Sequence, residues 1–224
     1  MVVNKLACNV ADAMANHQQN NDAPPSEVPQ HFAMYKPPGV LTQFVHTARR
    51  RKKRELLGQF YSFPEGTMAI GRLDEDSEGL LLLTTCGKKS NDVRDKSVEK
   101  EYYCQVDGQI TQEAIDRIKS GLEISTKGSI TKTLPCDARI LECSCDSLLP
   151  DSIPPPTKKI RDARHGPTSW ISITITEGKY RQVRKMTAAV GFPTLRLIRV
   201  RVADIDLDGL SLTMGEVREV QRVI

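Results

Sequence analysis

The chain has 224 residues, is 39% hydrophobic and 27% charged, and carries a formal net charge of +4. That length and apolar fraction suffice for a core without disulfides or metals, and they exclude wholesale disorder. No apolar run approaches the roughly 20 residues of a membrane span, and no hydrophobic block marks the N-terminus as a secretory leader.

Residues 1–30 read as a polar tail, and its NHQQNNDAPPSEVPQ stretch has little apolar surface to bury, so the tail is expected to be disordered. Order is predicted from His31, where HFAMYKPPGV forms a short strand stopped by Pro37, Pro38 and Gly39. A basic run at 49–54 follows. Such a patch contacts nucleic-acid phosphates or acts as a nuclear-targeting signal. TMAIGRL reads as extended, GLLLLTT as a buried strand, and KEYYCQVDG as a strand closed by Asp107 and Gly108.

A helix is predicted next. Thr111 is its N-cap, Ile110 and Ile115 form a hydrophobic staple, and Gly121 stops it. DARILEC reads as a strand, and 146–168 as a long proline-rich loop carrying Lys158, Lys159, Arg161 and Arg164. SWISITIT alternates, with Ile171, Ile173 and Ile175 on one face. KYRQVRKMTAAVG is predicted to be a helix ended by Gly191. Val183, Met186 and Val190 form its apolar stripe, with Arg181, Arg184 and Lys185 on another face. TLRLIRVRVADIDL and EVREVQRV are strand-like. Strands and helices mix without regular alternation, which predicts an α+β fold. Its sheet would be mixed and largely antiparallel, with flanking helices and two packed subdomains around a central cleft.

Common chemistries are excluded by motif. There is no P-loop, no dinucleotide fingerprint after a strand and no nucleophile elbow. The four histidines lack metal-ligand spacing, and the six cysteines read as free thiols of a reducing compartment. Carboxylate and basic chemistry remain. Gly71 to Gly79 enclose four acids, Asp74, Glu75, Asp76 and Glu78. Such a loop alone is a solvated turn, but Arg72 lies two positions before Asp74, where both side chains can face one side. The flanking glycines would let a ligand approach closely. Alternation from Lys100 sends Tyr102 and Tyr103 to opposite faces, so one of them can stack a base in a shared cleft. Gly178-Lys179 opens the basic helix, whose N-terminus favours anions.

At these residues the chain resembles the pseudouridine synthases. GRLDEDSEGLLLLTT is similar to their catalytic-aspartate motif, KEYY to their K-x-Y motif, and EGKYRQVRKM to their G-(K/R)-x-x-Q-V-R motif. YKPPGVL resembles the opening strand of the small-subunit type A superfamily. PTSW and RQVRKMTAAVGFPTLRLIR resemble the large-subunit ribosomal RNA branch of type E. The resemblance implies one catalytic domain over 31–224 without an S4 domain. It implies isomerisation of a specific uridine to pseudouridine in RNA, with large-subunit ribosomal RNA as the expected substrate and with no metal or cofactor. Asp74 is then the nucleophile, Tyr102 stacks on the uracil, and Arg184 pairs with Asp74. Arg72 helps to extrude the base, and Lys100, Lys179, Arg181 and Gln182 bind substrate. The protein is expected to act as a monomer on RNA, away from membranes. Its compartment is the cytoplasm for a bacterial chain, with organelle or nucleus as alternatives. The rival reading is a non-catalytic RNA-binding or ribosome-assembly factor on the same fold, but a pure binder has no use for a carboxylate facing phosphate.

Overall fold

The structure, a computed structural model, describes residues 28–46, 54–93, 98–126, 128–141, 153–157, 160 and 163–223. Residues 1–27 of the polar tail, most of the basic run, and Lys158, Lys159 and Arg161 lie outside the described residues, as do Cys8, Cys143 and Cys145.

The first half of the chain gives β1 (His31–Lys36), β2 (Val40–Leu41), β3 (Glu55–Leu56), β4 (Met68–Ala69), β5 (Glu78–Thr84), α1 (Gly87–Val93) and β6 (Lys100–Asp107). The middle gives α2 (Gln112–Ser120), β7 (Glu123–Thr126), β8 (Ser129–Lys132), β9 (Asp137–Leu141) and β10 (Thr168–Ile175). Then come α3 (Gln182–Ala189), β11 (Thr194–Val202), β12 (Ile205–Asp206), α4 (Leu207–Leu210) and β13 (Val217–Val220).

Nine strands form one sheet, with the central order β13-β1-β5-β11-β6-β10-β9. All its pairings are antiparallel except β5 with β11, which run parallel where the two halves of the chain meet. The predicted α+β class and largely antiparallel sheet are therefore what the chain adopts, and both halves share that single sheet. β1 and β5 are buried along their whole length, as expected of strands covered on both faces. Alternation divides β1 cleanly. Phe32 and Met34 join an apolar cluster with Leu57, Leu73, Leu81 and Leu83, while Ala33 and Tyr35 join a second on the reverse face with Leu80, Leu82, Trp170 and Ile198. A third cluster seats α2 and α3 on β6, β10 and β11 through Ile115, Ile118, Val183, Met186, Ile171 and Ile173.

Thr111 caps α2 as predicted, its hydroxyl accepting from the Ala114 N–H at 3.3 Å. The α3 prediction needs correction. The helix begins at Gln182, because Arg181 adopts a left-handed conformation (φ 52°) and 179–181 form a turn. The extended reading of TMAIGRL shrinks to the Met68–Ala69 pair. Gly79 corrects the idea that glycines here admit a ligand. At φ +103°, a Cβ on it would stand 2.4 Å from the Arg199 carbonyl, so the close neighbour is β11 itself.

Candidate active site

The acidic loop is a tight turn between the third apolar cluster and β5. The Ser77 N–H donates to the Asp74 carbonyl at 3.1 Å, closing a four-residue β-turn over Glu75 and Asp76. Its backbone is held from several directions. The Thr42 hydroxyl donates to the Leu73 carbonyl at 2.8 Å and accepts from the Leu73 N–H at 3.3 Å. The Gly39 N–H donates to the Glu75 carbonyl at 2.7 Å. Arg184 donates to the Asp76 carbonyl at 2.9 Å and to the Ser77 hydroxyl at 3.3 Å. Asp74 thus sits on a backbone fixed before and after it, with its side chain 28% exposed.

The arginine that pairs with Asp74 is Arg181, whose guanidinium lies 3.5 Å from the carboxylate. The same group makes a two-pronged contact with Asp76, both N···O distances being 2.8 Å. These bonds from Arg181 hold the Asp76 carboxyl below the usual carboxylate range. The expectation that Arg184 pairs with Asp74 is therefore corrected. Among the described residues Arg184 makes no ion pair with Asp74; its nearest carboxylate contact is Asp76 Oδ2, at 3.5 Å from Nε. That geometry falls short of a hydrogen bond, so the buried Arg184 Nε has no bonding partner among the described residues. The late start of α3 is the physical reason. It puts Arg181 on the turn facing the acids, and lays Arg184 along the loop backbone.

Tyr102 lies half-buried on β6 and packs against two apolar clusters at once. One of these contains Leu73, the residue before Asp74 in the chain. Tyr103 packs into the cluster on the reverse face, as alternation requires. Arg72 is exposed on the rim of a groove of about 450 Å³ that Thr42, Phe44 and Met68 also line. A second cleft of about 430 Å³ runs along the other side of the turn, between Pro38, Asp76, Arg181, Arg196 and Pro156.

The other three predicted residues hold the frame. Lys100 donates to the Val98 and Thr176 carbonyls at 2.7 and 3.0 Å. Lys179 pairs with Glu177, and its backbone N–H donates to the Gln182 side chain at 2.9 Å. Gln182 is buried and donates in turn to Glu177 at 2.6 Å. Glu177 also accepts from the Leu134 N–H at 2.8 Å. This knot shapes the turn that presents Arg181.

Sequence reasoning missed Thr42 and Lys36. Thr42 carries no motif signal, because its partner is 31 positions away. Lys36 was visible only as part of YKPPG. Its ammonium is fully buried and donates to the Pro37 and Val40 carbonyls, both at 2.8 Å, and toward the Glu75 carbonyl at 3.5 Å. Burial pushes this ammonium down from 10.5 to about 8, partly offset by Glu78 and Asp76. A base whose folded pKa lies below its unfolded value disfavours the native state while it stays protonated. Between about pH 8 and 10.5 the unfolded chain binds more protons, so stability rises with pH. Over that window, denaturant titration is expected to show wild type gaining stability relative to Lys36→Met; a difference that stays flat would contradict the burial effect.

Comparison with known proteins identifies the family. Residues 30–189 match the family described as RNA pseudouridylate synthase. The chain is 38% identical over 178 residues to a ribosomal large subunit pseudouridine synthase E of Xanthomonas axonopodis pv. citri, covering 79% of this chain and 87% of that protein. It is 32% identical over 196 residues to a ribosomal large subunit pseudouridine synthase B of Bacillus subtilis, covering 86% of this chain and 68% of that one. Among solved structures, one titled as a pseudouridylate synthase superposes with a TM-score of 0.65 at 26% identity, over 88% of this chain and 72% of its own.

Proposed function

The chain belongs to the RNA pseudouridylate synthase family, and from that membership and the geometry of the turn we propose that it converts a uridine of large-subunit ribosomal RNA to pseudouridine. The type E relatives favour that substrate. The observation that carries the reading is Asp74 on a backbone-fixed turn, paired with Arg181, directly after Leu73 of the apolar cluster on which Tyr102 packs.

The reaction breaks the C1′–N1 bond of the uridine, turns the uracil and rejoins it to C1′ through C5. It is an isomerisation, so the atoms of substrate and product are the same. Asp74 is the carboxylate nucleophile. Arg181 orients that carboxylate, and Arg184 positions the backbone on which it stands. Tyr102 stacks on the uracil and holds it while the glycosidic bond is open. The base must first leave its loop or helix, at a cost of a few kcal/mol that stacking in the pocket offsets. Arg72, exposed on the neighbouring rim, is placed to fill the space the base vacates. The protein would work as a monomer on RNA, in the cytoplasm for a bacterial chain, with organelle or nucleus as alternatives.

The test is release of tritium from a large-subunit ribosomal RNA transcript made with 5-tritiated uridine. Release that depends on the protein supports the reading; a folded protein that releases none overturns it. The rival reading, a binder alone, predicts tight RNA association with no release.

Affinity for the same transcript is expected to fall steeply with salt, because phosphate contacts release counterions. A slope of about −0.7 per contact applies to single strands. Neutralising the basic run at 49–54 should flatten the slope and weaken binding to different RNA sequences alike. An unchanged slope in a filter-binding titration would assign that run to targeting instead.

A further inference from the structure

Tyr180 stands apart from every other aromatic residue near the site. Its side chain is 60% exposed, and it belongs to none of the three apolar clusters. A single exposed aromatic residue is unremarkable by itself. Here two further observations single it out. The Lys185 ammonium lies over the ring, 5.0 Å from its centre, so one face is held by a cation. The next residue, Arg181, is the one that grips Asp74 and Asp76, and it does so from a left-handed backbone (φ 52°, ψ 38°). A non-glycine residue in that region is strained by about 1–2 kcal/mol. Such strain is retained where a site needs it. It lets adjacent residues serve two purposes, with Arg181 turned onto the acidic loop and Tyr180 left open to solvent.

Distance limits what the ring can meet. Tyr180 is one Cα step, about 3.8 Å, from Arg181, and Arg181 spans the rest of the way to the carboxylate with its own side chain. The ring therefore stands within a few nucleotides of a uridine held at Asp74. An aromatic face beside a cation is the pairing used to grip single-stranded nucleic acid: the ring stacks a base, and the ammonium meets its phosphate. Lys185 is in place for the second role without leaving the ring.

We propose that Tyr180 is a stacking platform for an unpaired nucleobase next to the target uridine, with Lys185 bracing the ring and meeting the adjoining phosphate. This inference rests on the proposed RNA isomerisation and adds a positioning residue to it. A platform of this kind selects targets in loops or bulges, where the neighbouring base is also free to leave its stack. It reads the presence of an unpaired base more than its identity, because every base offers a π-face.

The experiment uses the full chain and two readouts. In tritium release from the large-subunit ribosomal RNA transcript, Tyr180→Ala should raise KM about tenfold with a much smaller change in kcat, while Tyr180→Phe should behave as wild type. Tyr180→Ala should also leave the salt slope of KM unaltered, whereas Lys185→Gln should reduce it. The second readout needs no turnover. The only tryptophan of the chain, Trp170, is buried in the core. In a Tyr180→Trp variant that also carries Asp74→Asn, the transcript should quench the new indole fluorescence through stacking. A fully base-paired RNA duplex should quench it little. If wild type releases tritium but Tyr180→Ala matches it and the indole is not quenched, the platform is overturned and the isomerase reading stands. If wild type releases none while the transcript quenches the indole, the stacking site stands and the isomerase reading falls. A Tyr180→Phe variant as impaired as Tyr180→Ala would assign the effect to the hydroxyl and overturn stacking.

Discussion

Asp74→Asn is expected to abolish pseudouridine formation, by more than about a thousandfold, while the protein stays folded. The amide has the shape of the carboxylate but cannot serve as the nucleophile. The structure gives a reason to expect the fold to survive. The bonds that hold the turn's backbone join atoms of Leu73, Asp74, Glu75 and Asp76 to Thr42, Ser77, Gly39 and Arg184, and none of these uses the Asp74 side chain. The carboxylate's partner is Arg181, at 3.5 Å and partly exposed, which keeps Asp76 as a two-pronged partner after the change. Thermal midpoints of wild type and variant should agree within a few degrees. Single-turnover tritium release then separates chemistry from binding, and substantial release by the folded variant would remove Asp74 from its role.

The same turn shows what a sequence can and cannot display. Its two arginines sit three residues apart in RQVR, so helical periodicity puts both on one face and cannot rank them. The ranking is set by the left-handed Arg181 and the Glu177, Lys179 and Gln182 knot, which delay α3 until Gln182. Nothing in local propensity announces that delay, because a strained arginine looks like any other arginine in sequence. Thr42 and Lys36 were out of reach for a related reason. Each acts on a segment more than 30 positions away, and pairings over that span are decided by the sheet.

The elements that were legible carry their signal locally. The burial of β5 shows in its run of leucines, Leu80 to Leu83, and the end of β1 shows in Pro37 and Pro38. Alternation in KEYY separated Tyr102 from Tyr103 onto the two faces they occupy. The cap at Thr111 and the stop at Gly121 bound α2 as placed. The short pieces were not legible. β2, β3 and the β7–β8 hairpin span two to four residues each, too few for a period to register.

Arg196→Met is expected to destabilise the protein by about 3–5 kcal/mol, the usual cost of stranding one member of a buried ion pair. Arg196 and Glu78 are each only 5% exposed in their side chains and meet through two bonds, at 2.7 and 3.0 Å. Glu78 opens β5 directly after the acidic turn, 118 positions before its partner, so the pair locks the turn's exit to β11. The second arm of Arg196 also donates to the Pro154 carbonyl at 2.8 Å, which ties the proline-rich loop to the same point. Removing the arginine leaves the Glu78 carboxylate with Tyr35, at 3.4 Å, as its remaining hydrogen-bond partner among the described residues. A loss of that size is a large share of the roughly 5–15 kcal/mol that stabilises an ordinary domain. Replacing both members, as Glu78→Leu with Arg196→Met, should recover part of the stability, because neither charge of the pair is then stranded, while the buried Lys36 ammonium loses Glu78 as a counter-charge. Activity should not recover with it, since the loop and the turn lose their common anchor. Denaturant titration of the two single variants and the double variant decides the matter. Single losses below about 1 kcal/mol would show that water reaches the pair, and a double variant as weak as the singles would show that the cost lies in packing instead of stranded charge.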